Sequence, residues 1–291
     1  VPQPVTFSND ETMIDVQTLA ARDVQRALEE DVGTGDLTAA LIDPQARAFA
    51  TVRSREAALL CGTPWAEACV RALDPSATLR WLVAEGGTLQ PDAVFLEIDA
   101  NARALLSAER TLLNFLQLLS AVATRTAQYV DAVRGTKAQI VDTRKTLPGL
   151  RLAQKYAVRI GGGVNHRIGL FDAVLIKENH IAAAGGVTQA LQRAQAVAVQ
   201  AQFVQIEVET LQQLDEALRA GARMVLLDNM PLDTLREAVR LNAGRAVLEV
   251  SGGVDLHTVR AIAETGIDRI SVGRLTKDVQ AVDLSMRFAS A

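Results

Sequence analysis

The sequence is short of the residues that mark several common function classes. It has only two cysteines, Cys61 and Cys69, so neither a disulfide framework nor a zinc site is indicated. Its three histidines, His166, His180 and His257, fit no metal-binding spacing. Aromatic residues make up 4% of the chain, too few for rows of base-stacking side chains. Basic charge is not in excess. Lys and Arg number 30 against 34 Asp and Glu, a net charge of −4, which argues against a nucleic-acid partner. No run approaches the roughly 18 apolar residues of a membrane span. The stretch Val1–Glu11 is polar and lacks the basic and apolar regions of a secretory signal. The expectation is a soluble cytoplasmic protein with reduced thiols.

What is present is globular: 291 residues, 49% apolar and 22% charged. At roughly 150 residues per domain this is two domains, or one barrel with an appendage. The first half mixes element types. Val16, Leu19, Ala20, Val24, Ala27 and Leu28 recur at helical spacing, predicting a helix over 15–30. Residues 47–53 alternate as a strand does, and 63–73 read as a helix with Thr63 as N-cap and Pro64 in its first turn. Short strands are predicted at 79–84 and 94–98. A helix without Gly or Pro follows over 102–134, with a wide apolar face.

The second half has a beat. Strand-like runs at 139–141, 173–176, 204–208, 224–227, 246–250 and 269–272 alternate with helical stretches such as 211–220, 232–239 and 256–264. That alternation predicts βαβ units and a parallel sheet. Polar or small residues stand at the strand ends: Asp142, Lys177, Glu207, Asp228, Glu249 and Gly273. Carboxyl ends of parallel strands are where such folds keep their chemistry. Six strands are fewer than the eight of a closed barrel, so an incomplete barrel is expected. The domains are expected at 1–120 and 121–279, with the tail 280–291 packing back on the first.

Five cations, Arg144, Lys145, Arg151, Arg167 and Lys177, fall on one end of that barrel in a chain of negative net charge. One cation at a strand end is ordinarily solvated or ion-paired; five together ask for an anion with several negative groups. Ser251-Gly-Gly253, ahead of a helix expected from Asp255, has the make-up of a phosphate cradle, although Gly-Gly also marks plain turns. Glu207 and Glu209, two apart on a strand, are expected to face one side, with Asp228 ending the next strand. Such acids suit Mg²⁺ held with a polyphosphate, charge stabilisation of a developing cation, or structural ion pairs. His166, between Asn165 and Arg167, is the histidine best placed to contact a ligand, whereas His257 reads as a surface helical residue.

Seven motifs in order carry a resemblance: Gly35-Asp-Leu-Thr38, Glu109-Arg-x-x-Leu-Asn-Phe115, Thr143-Arg-Lys-Thr-x-Pro-Gly-x-Arg151, Gly161-Gly-Gly-x-Asn-His-Arg-x-Gly-Leu-x-Asp172, Lys177-x-Asn-His180, Leu227-Asp-Asn-Met230 and Ser251-Gly-Gly253. Together they resemble the quinolinate phosphoribosyltransferases, the decarboxylating nicotinate-nucleotide pyrophosphorylases of NAD synthesis. The resemblance implies an α/β protein: an N-terminal α+β hammerhead-like domain and a C-terminal incomplete parallel α/β barrel. It implies a homodimer with shared active sites, extending in some cases to higher oligomers, and Mg²⁺ as cofactor. Carried over by position, Arg144, His166, Arg167 and Lys177 would bind the two carboxylates of quinolinate, joined by Arg110 of the other subunit. Lys145, Glu207, Asp228, Ser251, Gly252, Gly253, Gly273 and Lys277 would hold phosphoribosyl pyrophosphate. Within these sets Lys145, Glu207 and Asp228 would be catalytic, and Glu207 and Asp228 would face the metal. This chain reads Leu275-Thr-Lys-Asp278 where many members read Leu-Thr-His-Ser, and Asp278 adds a negative charge at that corner. Three alternatives remain on the residues alone: another enzyme on the same scaffold, such as a molybdenum-transport-associated paralogue or a nicotinate-using transferase; a Schiff-base lyase using Lys145 or Lys177; and a metabolite-binding or scaffold protein without catalysis.

Overall fold

A computed structural model describes residues 15–288. The polar stretch Val1–Glu11 lies outside them, as does the end of the 280–291 tail. The chain opens with α1 (Val16–Asp31), β1 (Arg47–Ser54), β2 (Ala58–Leu59), α2 (Thr63–Leu73) and β3 (Thr78–Trp81). It continues through β4 (Thr88–Leu89), β5 (Val94–Asn101), α3 (Ala102–Ala132), β6 (Gln139–Val141) and α4 (Arg151–Ile160). Next come β7 (Val174–Ile176), α5 (Glu178–Ala184), α6 (Val187–Val197), β8 (Val204–Val208) and α7 (Leu211–Arg219). The last elements are β9 (Met224–Asp228), α8 (Leu232–Asn242), β10 (Val247–Ser251), α9 (Val259–Ala263), β11 (Arg269–Ser271), α10 (Arg274–Lys277) and β12 (Leu284–Phe288). No helix among the described residues is long and apolar enough to cross a membrane.

Two compact units form. The first takes the chain up to Arg125, Pro148–Gly161 and the chain from Asp278. Its antiparallel sheet runs β12-β1-β5-β3, so the C-terminal strand pairs with β1. α1 packs on α2, burying Leu19, Ala20 and Val24 against a helix whose Trp65, Ala66, Cys69 and Val70 are buried. Thr63 is the first helical residue of α2 and not its cap. Gly62 takes the cap position with a positive φ of 108°. The Glu85 carboxylate accepts the N–H groups of Gly62 and Thr63 at 2.8 and 3.0 Å, so a residue distant in sequence does the capping.

The sequence reading divides the chain between 120 and 121, with 148–161 in the barrel. In the structure the units part at Arg125/Thr126, and α4 goes with the first. The reason is local. The Tyr156 hydroxyl donates to Glu85 at 3.0 Å, and its ring lies 5.3 Å from that of Trp65. Both cysteines are free and buried. Burial pushes their thiols up, Cys69 to about 12, which leaves both inert.

The second unit is a six-stranded parallel sheet in the order β6-β11-β10-β9-β8-β7, the two end strands unpaired with each other. The α/β architecture with an incomplete barrel is therefore present. Its strands have apolar backs, but the sheet carries a polar stripe. Glu207, Leu226, Glu249 and Arg269 are register partners across four strands, and Asp228 pairs with Ser251 one step further on. Partners in a parallel ladder, and residues two apart on one strand, share a face. Gln205, Glu207, Glu249, Ser251 and Ser271 therefore rise on one side.

Three local expectations change. β8 stops at Val208, so Glu209 does not share that face; it is exposed and its N–H donates to Gln213. The glycine pair does not open a helix, because α9 begins only at Val259. Between them the Asp255 side chain accepts the N–H groups of His257 and Thr258, holding a turn. His257 is thus an exposed turn residue.

Candidate active site

An open cleft of about 350 Å³ lies at the carboxyl end of this sheet. Arg144, Lys145, Arg167 and Lys177 line it together with Glu207, Glu249 and Ser251. The loop after β6 brings in the first two cations. The Lys145 N–H donates to Thr143 Oγ1 at 3.0 Å, and the Lys145 carbonyl accepts from Thr276 Oγ1 at 2.8 Å. Gly273 lies close beneath them: a Cβ there would come within 2.9 Å of Lys145 Cδ and push that side chain aside. Arg167 is nearly buried, and its loop is pinned by Asp172, which accepts from the main chain of Ile168 and Gly169 at 2.7 and 2.8 Å. Burial first, and then the neighbouring Arg144, press the Arg167 guanidinium below its usual value. Arg144 Nε is buried with no hydrogen-bond partner. Two adjacent guanidiniums, one with an orphaned donor, make a site for planar anionic groups.

The acidic side faces them. Lys177 Nζ lies 3.2 Å from Glu207 Oε2. Burial nevertheless raises the Glu207 carboxyl, Lys177 opposing it and Asp228 and Glu178 adding to it. Neither Lys145 nor Lys177 is buried, as an amine depressed for Schiff-base chemistry would be. Among the described residues no group of three or more His, Cys, Asp or Glu side chains converges to hold a metal. Two carboxylates at adjacent strand ends do suit Mg²⁺ that keeps most of its ligands as substrate phosphate and water.

These motifs fall in two family models: the quinolinate phosphoribosyl transferase C-terminal domain matches residues 122–287, and the N-terminal domain of the same enzyme matches 36–120. The chain belongs to the quinolinate phosphoribosyltransferase family. It is 43% identical over 278 residues to the nicotinate-nucleotide pyrophosphorylase (carboxylating) of Mycobacterium leprae, covering 92% of this chain and 96% of that one. Identity to the probable enzyme of the same name from Bacillus subtilis is 40% over 257 residues, covering 88% and 89%. The nicotinate-nucleotide pyrophosphorylase structure from Francisella tularensis superposes with a TM-score of 0.92 at 42% identity, over 97% of this chain and all of that one.

Against the family pattern, seven carried-over residues line the cleft: the four cations, Glu207, Ser251 and His166. Asp228 sits beside Ser251 in the sheet and acts electrostatically on Glu207. Gly252, with φ +102°, lies so close to Asn229 Oδ1 that no Cβ would fit. Gly253 faces open space, and Lys277 is exposed on α10. Arg110 belongs to the first unit, exposed on α3, and is not among the cleft residues. The sequence reading places Glu249 at a strand end without a role and leaves Ser271 and the adjoining Gln205 out of the site; in the structure Glu249 is the middle residue of β10. Their signal was a polar residue inside an apolar strand, as in Val204-Gln-Ile-Glu-Val208 and Arg269-Ile-Ser-Val272.

Proposed function

We propose that this member transfers the phosphoribosyl group of phosphoribosyl pyrophosphate to quinolinate, with decarboxylation, giving nicotinate mononucleotide, pyrophosphate and CO₂. The observation that carries it is the pairing of Arg144 with Arg167 beside Lys177, three cations in one cleft, where a dicarboxylate needs them. These groups hold the two carboxylates and aim the ring nitrogen at C1 of the ribose. Lys145 and the strand-end backbone at Ser251, Gly252, Gly253 and Gly273 hold the phosphates, with Lys277 at the far corner. The nitrogen–C1 bond forms as the C1–oxygen bond to pyrophosphate breaks, the pair leaving with pyrophosphate. Glu207 and Asp228 stabilise the positive charge that develops on the ribose. The carboxylate next to the ribosylated nitrogen then leaves as CO₂. The electron pair it leaves on the ring carbon is held by the cationic nitrogen until a proton is taken up.

Mg²⁺ is proposed as cofactor, bound to the pyrophosphate moiety with Glu207 and Asp228 facing it, and it would neutralise the leaving group's charge. A homodimer in which Arg110 of one subunit completes the site of the other is also proposed. The exposed position of Arg110 supports it. Buried, unpaired thiols favour a reducing compartment such as the cytoplasm.

The test follows quinolinate loss with phosphoribosyl pyrophosphate and Mg²⁺ while trapping CO₂, with nicotinate run in parallel. One CO₂ per quinolinate and no product from nicotinate is the expected result; turnover of nicotinate, or of neither, overturns the reading. Mixing inactive Arg110→Ala and Lys145→Ala proteins should restore activity if sites are shared, and silence in the mixture would overturn the shared site.

A further inference from the structure

A group of buried polar side chains backs the cleft, with His166 and Glu249 in its lining, and none of them has a part in the chemistry above. Asp142, fully buried at the end of β6, accepts the His166 N–H and the Asn165 side-chain amide, both at 2.7 Å. His166 Nδ1 in turn accepts the main-chain N–H of Arg167 at 2.8 Å. A ring nitrogen that accepts carries no proton, so in the neutral ring the hydrogen sits on Nε2. Nε2 lies 2.8 Å from Gln205 Oε1 and 3.5 Å from Glu249 Oε1, so one N–H meets two acceptors. That tautomer also fixes the Gln205 amide with its oxygen toward the ring. The Phe203 ring closes the remaining side, edge to face at 5.2 Å.

The two carboxylates beside the ring have partners of their own. Glu249, fully buried on β10, takes the Ser271 hydroxyl and has Arg269 Nε 3.3 Å away. Asp142 meets the main chain of His166 and not its ring. An imidazolium would set a second N–H against that of Arg167. Both ring nitrogens are thus engaged by protein groups, and one of those groups is the backbone of a cleft cation.

We infer that His166 is a positioning residue and not a substrate ligand: a strut, clamped by Gln205 and Glu249, that sets the main chain of Arg167 and so the spacing of the Arg144–Arg167 pair. Gln205 and Glu249 are then positioning residues for the dicarboxylate end of the reaction. The inference rests on the proposed function only for the identity of that dicarboxylate.

Nitrogen NMR of the histidine rings tests it on the intact protein, with His166 assigned by the loss of the other signals in His180→Asn and His257→Gln variants. The expected result at pH 7.5 is a single Nε2–H tautomer that saturating quinolinate leaves unchanged. An Nδ1–H ring, an imidazolium, or displacement of the Nε2 signal by quinolinate would overturn the strut. In kinetics, Gln205→Met should raise the quinolinate KM about tenfold with kcat and the phosphoribosyl pyrophosphate KM within about twofold. A parallel rise of both KM values with a lowered Tm would mean a merely structural role. If the parent protein does not turn quinolinate over, it is the proposed function that fails, and the tautomer of the substrate-free ring still decides the strut.

Discussion

Two carboxylates, one in each unit, show how the same group serves different ends. Glu85 in the first unit spends its oxygens on the N–H groups that open α2 and on the Tyr156 hydroxyl. Its ligands are a helix start and a half-buried tyrosine, and its work is finished when the unit folds. Glu207 in the second unit has one ion pair to Lys177, lies beside Asp228 and opens on a cleft. Its charge is disfavoured by its surroundings, which is the condition of a group kept for an incoming ligand. A carboxylate consumed by main-chain donors is scaffold; one left in excess at a strand end is, on the proposed function, chemistry.

The sharpest break of that comparison is by alanine. Glu207→Ala and Lys145→Ala should each lower kcat by about a thousandfold or more while the thermal unfolding transition survives. Near-normal turnover in both would remove the roles assigned to them. Glu85→Ala should do the reverse. Loss of the α2 cap and an unsatisfied tyrosine hydroxyl together cost about 3 kcal/mol. Urea unfolding would read that loss, and the kinetic constants of the folded fraction should stay within about twofold. A kinetic defect without a stability defect would place Glu85 in the site after all.

The difference between the two carboxylates also marks what the sequence made legible. Strand ends of the parallel sheet were readable because period and polarity agree there: Asp142, Lys177, Glu207 and Asp228 stand at or beside the ends of β6, β7, β8 and β9. The capping of α2 was not readable, since Thr63 has the right chemistry and Glu85 lies more than twenty residues away; only the folded chain brings it to Gly62. Glu209 misled because alternation was extended one residue past the end of β8. Gly252 and Gly253 suggested a helix start because glycine pairs and turns look alike in one dimension, and the Asp255 turn that follows delays the helix. Gln205 had one signal, a polar residue inside an apolar strand, and that signal marks burial without naming a role. Four of the five expected cations line the cleft, whereas Arg151 opens α4 in the first unit; that the two guanidiniums among the four lie side by side was not readable.

That side-by-side arrangement gives the next prediction. Arg144→Lys keeps the charge and loses the planar fork, whose Nε is buried without a partner. The quinolinate KM should rise about tenfold or more, with the phosphoribosyl pyrophosphate KM little changed. An equal rise in both would mean that Arg144 serves the phosphates.

The smallest expected effect sets stability against function at one residue. The Glu207 carboxyl is raised above the ordinary glutamate value of 4.5 by burial, ahead of the lowering pull of Lys177. A carboxyl whose folded pKa exceeds its unfolded one binds its proton more tightly in the folded state. The parent protein therefore loses stability as pH climbs from about 4.5 through the folded value, and it stays at the lower level above that. Glutamine at this position carries no proton to lose. Glu207→Gln should accordingly be inactive and yet melt slightly above the parent at pH 7, with the gap closing at pH 4. Equal melting at pH 7 would mean that the Lys177 pair fully offsets the burial of Glu207, making it as satisfied as Glu85. A gap that closes at low pH would show a site residue held at a cost in stability that the scaffold carboxylate does not carry.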